Sequence, residues 1–328
     1  MGEILPKPIT KIEAEDNDNH QFIKYGVGNM QGWRIKNEDS HVCWALGNYY
    51  IFGVFDGHGG PEVAIYVKQN FIKLLTKNNN YKNGKIGLSL KETFNQLDKL
   101  LCEEKTIEEL KNIKLQFKNK NDERLKTVLN NDEFKIYNFL MLDKYYKDIP
   151  YTTGCTACVC VIDQKNNKAY FANSGDSRAI IIKKNDEIKA ITKDHKPEDQ
   201  KEKERIYNAG GYIVESRVEG VLNLSRTIGD LQFKKDTKLS ADKQKVTSTP
   251  DIFIENIKDI KYIVIGCDGI YECMSNNNLG KFILNDIKKT KKISETIKNI
   301  MLKNVAKDIY ANDGIGGDNM TCIIIEIK

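Results

Sequence analysis

Phe52-Gly53-Val54-Phe55-Asp56-Gly57-His58-Gly59-Gly60 sends an apolar run straight into an aspartate beside glycine. The pattern recurs in Val264-Ile265-Gly266-Cys267-Asp268-Gly269-Ile270-Tyr271-Glu272, and Gly316-Gly317-Asp318-Asn319-Met320 places a third such aspartate just ahead of the run from Met320 to Ile327. One Asp-Gly after a strand is ordinarily a turn. Three, each at the end of a separate β-type run, are harder to account for as turns alone and point to strand ends that share a task.

Further glycine-punctuated apolar runs lie on either side: Val42 to Leu46, Tyr50 to Phe55, Cys158 to Ile162, Ala169 to Ala172, Ala179 to Ile182 and Ile252 to Ile254. Their lengths of roughly four to eight residues and their β-branched content predict strands. Helices are interleaved in pairs. Pro61 suits a first helical position, with Val63, Ala64, Val67, Phe71, Leu74 and Leu75 following at helical spacing, and Leu90, Phe94, Leu97 and Leu101 form a second stripe. Ser275 is placed to cap a helix carrying Leu279, Phe282, Ile283 and Ile287, and Ile293, Ile297, Ile300, Met301, Val305 and Ile309 make the clearest stripe of all. Strands at hairpin spacing with two distant helix pairs predict an α+β fold: two packed antiparallel sheets forming a central sandwich, flanked by pairs of helices in α-β-β-α layers.

Residues 1–24 are polar and aperiodic and are expected to form a loose lead-in to a single catalytic domain over 25–328. Between about 103 and 147 the chain turns Lys-, Asn- and Glu-rich with sparse apolar residues (Ile107, Leu110, Leu125, Leu129, Phe134, Phe139, Leu140), which predicts a surface insertion, partly helical and partly mobile, with no chemistry of its own. The 328 residues carry 51 Lys and Arg against 46 Asp and Glu, a net charge of +5, too even for a nucleic-acid binder that concentrates basic residues on one stripe. No apolar run of roughly 18 residues appears, so no transmembrane helix is expected, and the start Met1-Gly2-Glu3-Ile4-Leu5-Pro6 is no secretory signal. A cytoplasmic protein, with the nucleus also open to it, is the expectation. Gly2 leaves N-myristoylation and weak membrane association open, although Pro6 stands where Ser or Thr is usual. The eight cysteines, at 43, 102, 155, 158, 160, 267, 273 and 322, show no disulfide framework, and Cys155-x-x-Cys158, in a β-type run with no partner pair downstream, reads as small buried apolar thiols in preference to a zinc or redox site.

Carboxylates converging at strand ends suit hard cations such as Mg²⁺ or Mn²⁺, which take oxygen ligands. Glycine beside each aspartate lets the backbone come close and offers its carbonyl. Glu38 and Asp39 add acid in Gln31-Gly32-Trp33-Arg34-Ile35-Lys36-Asn37-Glu38-Asp39. Two cations about 3.5–4 Å apart would offset this charge and lower the pKa of a bridging water. The planar fork of Arg34 suits a phosphate, and His58 suits a general acid for a leaving alkoxide, each weighed against the plainer reading of a solvated arginine and a turn-bound histidine. His20, His41 and His195 are not placed as metal ligands by sequence.

These residues are recognisable. Gly28-Asn29-Met30-Gln31-Gly32-Trp33-Arg34 with Asn37-Glu38-Asp39, then Phe55-Asp56-Gly57-His58-Gly59-Gly60, resembles the metal-dependent protein serine/threonine phosphatases of type 2C. Thr153-Gly154-Cys155-Thr156-Ala157, Asn173-Ser174-Gly175-Asp176-Ser177-Arg178, Asp194-His195-Lys196-Pro197, Leu224-Ser225-Arg226-Thr227-Ile228-Gly229-Asp230, Pro250-Asp251 and the Asp268 and Asp318 segments follow in the family's order. The resemblance runs from about Tyr25 to the C-terminus, broken by the insertion. It implies a β-sandwich and a two-ion Mn²⁺ or Mg²⁺ centre, with Asp56 bridging both ions, the Gly57 carbonyl on one, and Asp268 and Asp318 on the other. It further implies that Glu38 and Asp39 bind metal waters, that Arg34 binds phosphate, and that His58 protonates the leaving Ser or Thr oxygen. Asp176, with Glu272 where the family has Asp, would match a weaker third site, and 195–235 would be the flap beside the active site. Cys155 replaces a usual Ser.

The implied reaction is direct attack of metal-activated hydroxide on phosphoserine or phosphothreonine, without a phosphoenzyme, on phosphorylated protein partners, by a monomer. Two alternatives differ in class: a catalytically weak phosphatase-like scaffold that docks phosphoproteins, which ought to have lost Asp56, Asp268, Asp318 or Arg34, and a metal-dependent phosphodiesterase, which ought to show basic and aromatic interleaving. Substrate choice is expected to lie in the flap and the insertion, where no motif is legible.

Overall fold

Every apolar run read as a strand forms one, and each is covered on both faces or packed against a partner sheet. The computed structural model describes residues 4–126, 129–130, 132–133 and 149–328. The first strands are β1 (Ile4–Asn17), β2 (Ile23–Arg34), β3 (Ser40–Leu46), β4 (Tyr49–Phe55) and the short β5 (Gly57–His58). The middle of the chain supplies β6 (Gly154–Cys155), β7 (Ala157–Asp163), β8 (Lys168–Ser174), β9 (Arg178–Lys183) and β10 (Ile188–Ala190). Then come β11 (Ile213–Val214), β12 (Arg217–Val218), β13 (Ile228–Gly229), β14 (Asp251–Asn256), β15 (Ile260–Gly266) and β16 (Met320–Ile327).

A six-stranded sheet has the order β1-β2-β16-β15-β9-β10, and a five-stranded sheet the order β14-β8-β7-β4-β3, with every pairing in both antiparallel. Alternation along β7 shows why they stack. Cys158, Cys160 and Ile162 face the other sheet, while Val159 and Val161 face the helices on the outside. Tyr25 and Phe52 meet across the sandwich with ring centroids 5.0 Å apart. On the outer side Phe71 meets Phe55 at a tilt and Phe94 edge to face, with ring centroids 5.8 Å apart in each pair. Burial pushes the Cys158 and Cys160 thiols well above their ordinary pKa, as for inert apolar side chains.

Helices Glu62–Lys77 and Ile86–Leu100 cover the five-stranded sheet, and Asn276–Thr290 and Ile293–Asn304 cover the six-stranded one. This is the α-β-β-α layering expected. The Ser275 hydroxyl accepts from Asn278 N at 3.3 Å, the anticipated cap. Pro61 precedes the first helical residue instead of occupying it. The last stripe outruns its helix, which ends at Asn304, and Ile309 is buried beyond it against Trp33 and Ala306. Gly28 of β2 lets Ile293–Asn304 lie close: a Cβ there would sit 2.5 Å from Ile297 Cγ2.

The loose lead-in expected over 1–24 is corrected. Residues Ile4–Asn17 form β1, the edge of the large sheet, with Leu5 and Ile9 buried. Its register shifts between Ile4 and Ile9 and again between Ile9 and Ile12, which breaks the period-two pattern, and an edge position accommodates Pro6 and Pro8. The Gly2 reading lies outside the described residues. In the insertion, Glu104–Lys126 is one helix, and Leu110, Ile113, Leu125 and Leu129 are buried, so this part is built into the fold. The expected mobility and the positions Phe134, Phe139 and Leu140 fall outside the described residues. The flap holds helix Gln200–Asn208 and the β11–β12 hairpin over a small core of Ile206, Val218, Leu222, Leu224, Phe233 and Val246. Among the described residues no helix is long and apolar enough to cross a membrane.

Candidate metal centre and active site

Topology gathers the acids at one rim of the sandwich. Asp56 follows β4 of one sheet, Asp268 and Asp318 flank β15 and β16, neighbours in the other, and Asp176 lies on the crossover from β8 to β9 between the sheets. Carboxylate oxygens of Asp56, Asp176 and Asp268 lie within 4.8 Å of one another. Burial, then the charges of Asp268, Asp39, Asp318 and Asp176, pushes Asp56 well above the usual carboxylate range, and Asp268 is raised by burial and by Asp176 and Asp318. Gly57 has no room for a side chain, since a Cβ would fall 2.4 Å from the Glu38 carbonyl oxygen.

Asp39 immediately precedes β3, and burial raises it to about 7 despite the bond it accepts from Thr321 Oγ1 at 2.7 Å. Its oxygen lies within 4.8 Å of Asp56 and of Cys267 Sγ. Cys267 is no ligand candidate: its thiol donates to Asn319 O at 3.4 Å, accepts from Thr321 N at 3.1 Å, and is raised far above the range in which it would ionise. Glu38, raised by burial, sits on the loop that Asn319 ties down, accepting from Glu38 N at 2.9 Å and donating to Gln31 O and Lys36 O at 2.7 and 2.9 Å. At the end of β2, Arg34 Nη2 reaches Asp318 Oδ2 at 2.6 Å. Glu272 is exposed and stands outside the tight carboxylate group.

Two partnerships escaped the sequence reading. His58 Nε2 is 2.7 Å from Asp230 Oδ2, and this buried carboxylate overcomes the cost of desolvation to raise the imidazole above its ordinary pKa. Lys196 pairs with Asp176. Both lie in motifs quoted for the resemblance, but nothing local in sequence says whom they touch.

The donor set fits hard divalent cations. It is all oxygen, its mutual repulsion is answered by few cationic side chains, and Asp176 Oδ1 is buried with no hydrogen-bond partner. A cavity of about 950 Å³ holds Arg34, Glu38, Asp56, His58, Asp176, Asp268 and Asp318 together. Lys114 of the insertion helix also lines it, so the insertion borders the cavity.

A double-layered sandwich with a carboxylate-lined cavity at one rim defines a class of metal-dependent hydrolase, and comparison with known proteins specifies it. Residues 23–312 match the family model described as protein phosphatase 2C. The chain is 34% identical over 331 residues to "Probable protein phosphatase 2C 6" of Paramecium tetraurelia, covering 100% of each chain. It is 35% identical over 337 residues to "Probable protein phosphatase 2C 21" of Arabidopsis thaliana, covering 100% of this chain and 93% of the relative. A Toxoplasma gondii phosphatase structure shares the fold with a TM-score of 0.68 at 22% identity, covering 97% of this chain and 96% of that one. This chain belongs to the protein phosphatase 2C family and is a hydrolase.

Proposed function

We propose that the protein removes phosphate from phosphoserine and phosphothreonine in protein substrates, using two Mn²⁺ or Mg²⁺ ions held by Asp56, the Gly57 carbonyl, Asp268 and Asp318. Glu38 and Asp39 hold the ions' waters, and Asp176 serves a third, weaker site. The observation that carries this reading is the approach of Asp56, Asp176 and Asp268 within 4.8 Å, in one cavity with Arg34 and His58. When bound, the ions supply Lewis-acid activation of water at neutral pH.

The remaining work falls to side chains. Asp318 steadies Arg34, whose fork takes two phosphate oxygens and turns the phosphorus toward the acids. Asp230 engages His58 Nε2 and favours the imidazolium, which gives its proton from Nδ1 to the departing serine or threonine oxygen. The catalytic unit we propose runs from β1 to β16, with the flap over 195–235 beside the cavity.

Turnover of a phosphothreonine peptide by the wild type in Mn²⁺ should vanish in excess EDTA and in Asp56→Ala, while a phosphate bis-ester should be a poor substrate throughout. Full activity of Asp56→Ala, or of the wild type in EDTA, would sink the two-ion reading. Metal-free Asp56→Asn should also melt about 2–4 °C above the metal-free wild type, because one of three mutually repelling carboxylates is gone.

A further inference from the structure

Asp230 stands in the left-handed region, with φ 50° and ψ 42°, directly after Gly229 at φ 89°. A residue with a side chain keeps that conformation only where its surroundings hold it there. The use of it lies across β6. Gly154 of β6 pairs with His58 on one side and with Gly229 on the other, and a Cβ on Gly154 would fall 2.1 Å from Asp230 Oδ2 and 2.9 Å from His58 Nε2. The turn thus folds the Asp230 carboxylate back over bare backbone to reach His58.

Asp230 N donates to Thr153 O at 3.0 Å, which secures one atom of the turn. Further hold comes from helix Ile86–Leu100. Asp98 Oδ1 accepts from Gly229 N at 2.8 Å, both Asp98 oxygens accept from Lys234 Nζ at 2.8 Å, and Lys234 Nζ also donates to Thr227 O at 2.8 Å. The pair therefore grips the chain at Thr227, Gly229 and Lys234, on both sides of Asp230. Its side chains are well covered, with Lys234 6% and Asp98 12% exposed. Asp98 lies in the last turn of its helix, where the helix dipole favours a cation, so helix formation does not explain an acid there. Net stability does not explain it either, since a buried ion pair adds little over apolar packing of similar volume. What the pair supplies is position.

We propose that Asp98 and Lys234 are positioning residues for proton donation: they fix the Gly229-Asp230 turn so that Asp230 holds His58 Nε2 and leaves Nδ1 free to donate. This rests on the reading of His58 as the general acid. Asp230 lines the active-site cavity and these two side chains do not, so they act through it.

The test uses the full chain in Mn²⁺, with Lys234→Met and Asp98→Ala assayed on a phosphothreonine peptide and on p-nitrophenyl phosphate, whose leaving group needs no proton. In each variant the ratio of kcat on the peptide to kcat on p-nitrophenyl phosphate should fall about tenfold from wild type, with KM for the peptide little changed. Because the ratio is taken within one protein, a smaller folded fraction does not mask it, and Asp98→Ala decides alone where Lys234→Met fails to fold. The double variant Lys234→Met/Asp230→Asn should show the same ratio as Asp230→Asn, since the pair then has nothing left to place. An unchanged ratio in the single variants, or losses that multiply in the double variant, overturns the positioning role. Crystal structures of the wild type and of either single variant give a second readout. Asp230 Oδ2 should lie beyond about 3.5 Å from His58 Nε2 in the variant, and an unmoved carboxylate overturns the proposal. If Asp230→Asn keeps the wild-type ratio, the acid reading fails, and if the wild type cleaves neither substrate, the phosphatase reading fails. In both cases the crystal structures still judge whether Asp98 and Lys234 place Asp230.

Discussion

At the level of single residues, the acids were legible because turn chemistry marks them. Asp56, Asp268 and Asp318 each stand beside glycine or asparagine at the end of an apolar run, and a strand end is the one place where a short carboxylate is both rigidly held and open to a cavity. Asp230 and Lys196 were not legible as partners, because their meaning is a contact across 172 and 20 residues respectively. Asp230 leads to a sharp expectation. In Asp230→Asn, His58 loses the charge that favours its protonated form, so turnover of a phosphothreonine peptide should fall about 10- to 100-fold. Hydrolysis of p-nitrophenyl phosphate, whose leaving group needs no proton, should change little. Equal losses on both substrates would show that Asp230 holds structure and does not tune the acid.

Among the elements, the strands and outer helices followed from period and cap, and the flap was legible as a surface helix over Lys201–Ile206, stopped at Gly210-Gly211, and a hairpin, whereas β1 and the ionic packing of the flap helix were not. In β1 the shifted register hides the alternation. The flap helix is polar in sequence because its inward face is ionic: Glu202 accepts from Arg205 Nη1 at 2.5 Å, Ser225 Oγ at 2.8 Å and Arg226 Nη2 at 2.6 Å, and Arg226 Nη1 continues to Asp251 Oδ1 at 2.8 Å. Asp251 Oδ2 then meets His195 Nε2 at 3.2 Å, beside Lys196. Burial alone would raise Glu202, but Arg226 and Arg205 lower it from 4.5 to about 2. A depressed carboxylate stabilises fully above its ordinary pKa and ceases to do so as pH falls through its folded value. Glu202 should therefore contribute about 3 kcal/mol near neutrality, lost between roughly pH 4.5 and 2. Glu202→Ala should cost about 3–5 kcal/mol in urea denaturation at pH 7, since two guanidinium groups stay buried without their carboxylate. The difference from wild type should narrow on acidification, and a difference that is constant with pH would contradict the ionic account.

For the molecule as a whole, the sandwich was legible because both sheets and both helix layers must bury apolar stripes, and few architectures satisfy all four at once. Strand order was not legible, since antiparallel neighbours need not be neighbours in sequence. The order found makes β1 a guard for β2. Removing residues 1–17 should cost about 3–5 kcal/mol for Leu5 and Ile9 alone and expose a row of unpaired backbone groups, seen as a lower urea midpoint and as aggregates by size-exclusion chromatography. An unaltered midpoint would mean that β1 adds nothing to the sheet. The same order sets a timetable for biosynthesis. β16 lies between β2 and β15, so the middle of the large sheet stays vacant until residues 320–327 have been translated, long after β2 has left the ribosome. Asp318 arrives with that strand, so a message cut short before it yields neither a closed sheet nor a complete set of acids, and no half-made phosphatase is set loose on the cell's phosphoproteins.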